Sequence, residues 1–242
     1  MKIVGIIPSR YESSRFPGKP LIDLKGKTMI QRVYEGAKKS TCLDEVIVAT
    51  DDQRIFDEVE RFGGKVIMTS SSHTTGTDRC GEVALKVDAD VVINIQGDEP
   101  LVDFRQLDSL CKAFEESETQ IATLGIQGVT EEERGNPNRI KIVLDAKSNA
   151  MYFSRSPIPN TNNGSVKAVN TYNYFRHIGL YGYRKSTLLE LINLEKTTLE
   201  QVESLEQLRW LFHGYKIKVV ETTIETPNID VPEDVQNVLP FI

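Results

Sequence analysis

Residues Ile3-Val4-Gly5-Ile6-Ile7 form an apolar run with no polar position to mark a solvent face, the pattern of a strand buried on both sides. Such a strand needs helices over both faces of its sheet. The first is supplied within residues 28–39, where Ile30, Val33, Tyr34 and Ala37 recur at i, i+3, i+4 and i+7. Val46-Ile47-Val48-Ala49 reads as the second strand. Asp51 or Asp52 can cap the helix after it, which turns Ile55, Val59 and Phe62 inward and ends at Gly63-Gly64. Val66-Ile67-Met68 and Val91–Ile95 read as the third and fourth strands, with a helix around 78–87 between them. This βαβα order predicts an α/β fold, Rossmann-like and doubly wound, with a mainly parallel sheet.

The second half is less regular. Strands are expected at Ile121–Gln127, Ile140–Leu144, Ile178–Tyr183 and Ile217–Val220, and a short helix at Val235–Leu239. Residues 198–212 read as one helix with Leu199, Val202, Leu205, Leu208 and Leu211 on or near one face. Residues 156–170, rich in Pro, Asn, Gly and Ser, read as a loop or arm. No repeat and no long linker divides the chain, so residues 1–242 read as one domain with an irregular lobe over about 128–190.

Composition excludes several function classes. The chain has 242 residues, 29 Lys and Arg against 35 Asp and Glu, and a formal net charge of -6. That acidic balance argues against a general nucleic-acid binder, because phosphate backbones require a broad positive surface. No stretch approaches the ~20 apolar residues of a membrane span, and MKIVGIIPSR lacks the features of a signal peptide. Cys42, Cys80 and Cys111 form neither a CxxC nor a zinc pattern, which points to a reduced cytoplasm.

Two segments carry the chemistry. Residues 8–21 leave the first strand at its carboxyl end, where ligands bind in open α/β sheets. They hold Arg10, Arg15 and Lys19 against one acid, Glu12, with hydroxyls at Ser9, Ser13 and Ser14 and close backbone approach at Gly18. The negative oxygens of a triphosphate call for such charge-assisted donors. The segment is neither a Walker A loop nor a GxGxxG fingerprint; a solvated basic loop is the competing reading. In the second, Asn94-Ile95-Gln96-Gly97-Asp98-Glu99-Pro100, Asp98 lies just past a buried strand, placed to hold Mg²⁺ or to cap the next helix. Thr77 is a candidate helix cap within His73–Arg79, and Asp230, before Pro232, reads as a cap or near-cap.

Seven segments, IIPSRYESSRFPGKPL (6–21), VIVATDD (46–52), HTTGTDRCGEV (73–83), VVINIQGDEPLV (91–102), RHIGLYGYR (176–184), SLEQLRWLFHG (204–214) and IDVPEDV (229–235), together resemble the 3-deoxy-manno-octulosonate (Kdo) cytidylyltransferase family, from residue 2 to about 239. Ser9, Ser14, Phe16 and Asn228 depart slightly from its pattern. The resemblance implies the nucleotide-diphospho-sugar transferase type of fold, and transfer of CMP from CTP to Kdo with release of pyrophosphate for lipopolysaccharide synthesis. It implies Mg²⁺ held by Asp98 and Asp230, catalytic roles for these two with Arg10 and Lys19, and a homodimer. It places Ser9, Arg10, Ser14, Arg15, Lys19, His73, Gly76, Thr77, Gln96 and Gly97 at the nucleotide, and Arg155, His177, Tyr181, Glu206 and Gln207 at the sugar. His177 and Tyr181, four apart, are expected on one strand face. Without ligand, Asp98 and Asp230 are expected to repel one another, so that losing either need not destabilise the chain. A cytidylyltransferase for another sugar acid such as sialic acid, or a non-catalytic nucleotide-binding module, are the alternatives.

Overall fold

The computed structural model describes residues 1–13, 15–160 and 172–242; Ser14 and most of the expected 156–170 arm lie outside the described residues. Among the described residues nine strands form one sheet: β1 Ile3–Ser9, β2 Glu45–Thr50, β3 Val66–Met68, β4 Val91–Asn94, β5 Ile121–Gln127, β6 Lys141–Leu144, β7 Ala150–Ser154, β8 Phe175–Arg184 and β9 Ile217–Thr222. Their order is β3-β2-β1-β4-β8-β5-β9, with the β6–β7 hairpin attached to β8. The helices are α1 Met29–Ala37, α2 Gln53–Arg61, α3 Gly76–Lys86, α4 Phe104–Lys112, α5 Glu131–Gly135, α6 Lys185–Leu191, α7 Thr198–Glu203, α8 Gln207–Phe212 and α9 Val235–Val238.

The continuous apolar runs have a direct cause. Side chains alternate across a strand, and here both faces are covered. Val4, Ile6, Ile47, Ala49 and Val92 pack into one layer with Cys80, Val83 and Ala84 of α3 and with Trp210. Ile3, Ile7, Val46, Val48, Val91 and Ile93 pack into the other, with α1, α2 and α4. The caps are built as the residue types dictate. Thr28, Asp52, Thr75 and Asp103 each accept a backbone N–H at the start of α1 to α4. Gly63, at φ 75°, closes α2.

Strand β1 lies between β2 and β4, so the chain winds outward to β3 and returns to the other side of β1. That reversal opens a crevice at the carboxyl ends of β1 and β4. Strand β8 runs against β4, pairing Asn94 with Tyr181. The residues of β8 that precede Tyr181 therefore extend past the end of β4 and wall the crevice. The irregular lobe is accordingly narrower than 128–190, because β8 sits inside the main sheet between β4 and β5.

One helix is two. Residues 198–212 break at Ser204, which is left-handed at φ 52°, ψ 48°, and α8 starts anew at Gln207. Val202 is correspondingly exposed, while Leu205 and Leu208 are buried. Among the described residues no helix is long and apolar enough to cross a membrane.

Candidate active site

Polar side chains from several elements converge in the crevice at the ends of β1 and β4. A cleft of about 250 Å³ is lined there by Ser9, Arg10, Ser13, Arg15 and Lys19 from the loop after β1, by His73–Gly76 and Arg79, and by Gln96, Gly97, Asp98 and Asp230. Four cationic side chains thus face two carboxylates, in a chain whose total charge is negative.

Gly18, at φ 73°, turns the loop so that Lys19 enters the cleft. The Lys19 ammonium donates to Asp98 Oδ2 at 2.9 Å and to the carbonyl of Ile229 at 2.7 Å. Asp230 Oδ1 stands 3.8 Å from the same nitrogen and accepts from Arg15 at 3.0 Å. Ile229 N–H donates to the Asp98 carbonyl at 2.9 Å, which fastens the two carboxylate-bearing segments together although they are distant in sequence. Gly97 lets this turn press on β1, since a Cβ there would lie 2.9 Å from the Pro8 carbonyl oxygen. Arg10 is exposed and pairs with no carboxylate among the described residues.

The capping roles fall elsewhere. Asp103 caps α4, and Asp234 accepts from the backbone N–H groups of Asp230 and Val231 at 2.8 and 3.0 Å, which leaves the carboxylates of Asp98 and Asp230 turned to the cleft. Thr75, with Asp78, forms the capping box of α3. Thr77 is not the cap; its hydroxyl donates to Glu206 Oε2 at 2.7 Å. Nor do Asp98 and Asp230 face one another bare, because the Lys19 ammonium lies between them. The expectation that their removal would relieve repulsion is therefore corrected.

Beyond Gln96, whose amide donates to the Gly179 carbonyl at 2.7 Å, lies a second group of side chains. His177 and Tyr181 meet with ring centroids 5.2 Å apart, even though β8 slips register against β5 between them. The Thr123 hydroxyl donates to the Leu180 carbonyl at 2.7 Å and so accepts from His177 Nε2 at 3.1 Å. Burial among rings, with Arg176 beside it, pushes the His177 pKa down to about 3. Burial also raises the Glu206 carboxyl above its ordinary range. Gln207 is 5% exposed, and its Nε2 has no hydrogen-bond partner among the described residues.

Arg155 is placed differently from the sugar contact anticipated for it. Its guanidinium donates to the backbone carbonyls of Glu203 (2.8 Å), Pro137 (3.0 Å) and Ser204 (3.3 Å), and it does not line the cleft. The left-handed Ser204 turn supplies these acceptors. Arg79, the last residue of the His73–Arg79 segment and given no separate role in the sequence, is buried in the cleft wall and donates to Asp51 at 3.0 Å. Its signal was the helical position two residues after Thr77, on the side facing β2. Glu99 is also new: burial, with Asp98 beside it, lifts its carboxyl to about 7.

A pH prediction follows from His177. The unfolded chain takes up a proton near the ordinary value of 6.5, whereas the folded chain refuses it until about 3. The folded pKa is depressed, so stability falls as pH drops through this window. Thermal melts should show wild type losing more Tm than His177→Gln between pH 7 and pH 4.5. Parallel curves would mean that the ring is solvated.

This fold, with a basic cleft at its switch point and two carboxylates across from the basic loop after β1, is that of a nucleotidyltransferase, as the similar proteins show. A family model described as cytidylyltransferase matches residues 4–217. The 3-deoxy-manno-octulosonate cytidylyltransferase of Fusobacterium nucleatum subsp. nucleatum is 49% identical over 245 residues, covering 100% of this chain and 97% of that protein. Its counterpart in Bacteroides thetaiotaomicron is 50% identical over 249 residues, covering 100% and 98%. A solved CMP:2-keto-3-deoxy-manno-octonic acid synthetase complexed with CTP superposes with a TM-score of 0.94 at 42% identity, covering 100% of this chain and 98% of that one. At 15% identity, the 4-diphosphocytidyl-2C-methyl-D-erythritol synthase of Anaerococcus prevotii shares the fold, with a TM-score of 0.65 and coverage of 99% and 98%. The chain belongs to the cytidylyltransferase family and, within it, to the 3-deoxy-manno-octulosonate cytidylyltransferases.

Proposed function

We propose that this chain transfers the cytidylyl group of CTP to the anomeric hydroxyl of Kdo, forming CMP-Kdo and pyrophosphate. The observation that carries the reading is the meeting of Lys19, Asp98 and Asp230 at one point of a basic cleft, in a chain half identical to relatives of that name. The hydroxyl oxygen attacks the α-phosphorus and gives up its proton to water, the bond to the bridging oxygen breaks, and pyrophosphate leaves with the electron pair. Such a transfer needs positioning and charge neutralisation more than a protein nucleophile. Arg10, Arg15 and Lys19 neutralise the phosphates. His73, Gly76, Gln96 and Gly97 flank the cytosine side. His177, Tyr181, Glu206 and Gln207, grouped beyond Gln96, are the residues assigned to the sugar, and the buried Gln207 amide, without a partner among the described residues, is free to meet an acceptor there.

Mg²⁺ fits the same point. An ammonium already stands between the two carboxylates, so the locus suits a cation. Among the described residues no three His, Cys, Asp or Glu gather into a metal cluster. Mg²⁺ usually takes one or two carboxylates and leaves the remaining positions to water and substrate. Asp98 and Asp230 would hold it, and when bound it supplies charge neutralisation and a lowered pKa for the attacking hydroxyl. The reading extends to a cytoplasmic homodimer serving lipopolysaccharide synthesis. Three unpaired cysteines support the reducing compartment, and exposed Met151 and Tyr172 near the hairpin support pairing of two copies.

The test is pyrophosphate release with each of four nucleotides against Kdo and sialic acid. CTP with Kdo should exceed every other pair by at least about a hundredfold, as two or more lost polar contacts would impose. Equal rates with sialic acid would contradict the sugar assignment. Gln207→Ala should raise the KM for Kdo about tenfold, with calorimetric CTP affinity unchanged. An equal fall in CTP affinity would move Gln207 out of the sugar site.

A further inference from the structure

The described residues between Tyr11 and Pro17 form no helix or strand, yet the phosphate loop must hold Arg10 and Lys19 at fixed places on either side of a ligand. Tyr11 does not line the cleft, and its aromatic ring packs against the apolar layer that covers β1 and β2. Three contacts converge on this residue. Its carbonyl accepts the N–H of Gly18 at 2.9 Å and so closes the loop. Gly18 presses on the ring so closely that a Cβ there would lie 3.1 Å from Cζ and from Oη. The guanidinium carbon of Arg54 stands 3.3 Å from the ring centroid. Arg54 is itself held, because its Nε and Nη2 reach the two oxygens of Asp52 at 2.9 and 2.6 Å, and Asp52 caps α2.

We propose that Tyr11 is the positioning residue of the phosphate loop, and that Arg54 at the start of α2 fixes Tyr11 in place. Tyr11 thereby ties the two ends of the loop together. Arg10 is its neighbour in the chain, and Gly18, which turns Lys19 inward, rests upon it. A stacked guanidinium restrains the ring through its quadrupole without a covalent tie. Arg54 belongs to the helix that follows β2, so the loop after β1 is keyed to the neighbouring βα unit rather than to itself. The proposal rests on the reading that Arg10 and Lys19 take the triphosphate of CTP.

The experiment measures CTP affinity by calorimetry, KM for CTP and Kdo, and Tm, for Tyr11→Phe, Tyr11→Leu, Arg54→Ala and the double variant, with Lys19→Ala as reference. Tyr11→Leu should weaken CTP binding about tenfold, since small displacements of binding groups are costly, and leave the KM for Kdo within about twofold. Tyr11→Phe keeps the ring and should restore near-normal binding. Arg54→Ala, at an exposed site, should weaken CTP binding about two- to fivefold in the same direction. The double variant should be no worse than Tyr11→Leu, because Arg54 acts through the ring. If Lys19→Ala loses CTP affinity while Tyr11→Leu and Arg54→Ala keep it, the positioning role is wrong and the phosphate-loop reading stands. If Lys19→Ala also keeps it, that reading itself has failed. Should Tyr11→Leu lower Tm and raise both KM values together, the ring is a packing residue only and the proposal is overturned; Arg54→Ala leaves the core intact and still tests the coupling.

Discussion

Replacing Lys19 by alanine should lower kcat/KM for CTP roughly ten- to a hundredfold, the effect of losing ~1.5–3 kcal/mol of charge-assisted contact in the transition state. The side chain is only 13% exposed, and its ammonium sits 2.9 Å from Asp98 and 3.8 Å from Asp230. It is thus placed both to hold the carboxylates apart and to meet phosphate oxygens. Without substrate, the variant leaves those carboxylates facing each other without a cation between them. Tm should fall by a few degrees, a modest loss because water screens groups this near the surface. Steady-state kinetics with CTP varied at saturating Kdo, together with thermal melts, check both parts. Wild-type kcat/KM would remove Lys19 from the chemistry.

Asp98→Asn and Asp230→Asn should each lose most turnover and raise the Mg²⁺ concentration needed for half-maximal rate. The double variant should be little worse than either single, because both side chains serve one cation. Stability should fall slightly in each, since Asp98 loses the Lys19 ammonium and Asp230 the Arg15 guanidinium at 3.0 Å. Arg15→Ala should do the reverse for the metal: with one competing cation removed from Asp230, calorimetric Mg²⁺ binding to the ligand-free chain should tighten. An unchanged Mg²⁺ half-saturation in both single variants and the double would refute the assignment of these carboxylates to the ion.

The parallel half of the fold is legible because burial on two faces leaves a strong mark: Ile3–Ile7, Val46–Ala49 and Val91–Ile95 have no solvent side to encode. The basic loop after β1 is legible for a related reason, its charge standing out against an acidic chain. The break at Ser204 is not legible. No Gly or Pro announces it, and the left-handed turn is held from a distance by Arg155, whose own position depends on the β7 hairpin. Arg155 is put at the sugar by resemblance alone, and an arginine just past the end of β7 gives no sign in the sequence that backbone carbonyls await it. The choice between cap and cleft for Asp98 and Asp230 was equally closed to sequence, since Asp103 and Asp234 offer the same chemistry a few residues on. Motif resemblance pointed to the cleft residues, and the described geometry brings them together.

Joining CTP to Kdo through the α-phosphorus leaves a distinct phosphorus signature. Phosphorus NMR of the purified chain with CTP, Kdo and Mg²⁺ tests it most directly. One new phosphodiester signal and one pyrophosphate should appear for each CTP consumed, with no reaction when Kdo is omitted. Accumulation of orthophosphate with CDP, or CTP left intact in the complete mixture, would contradict it.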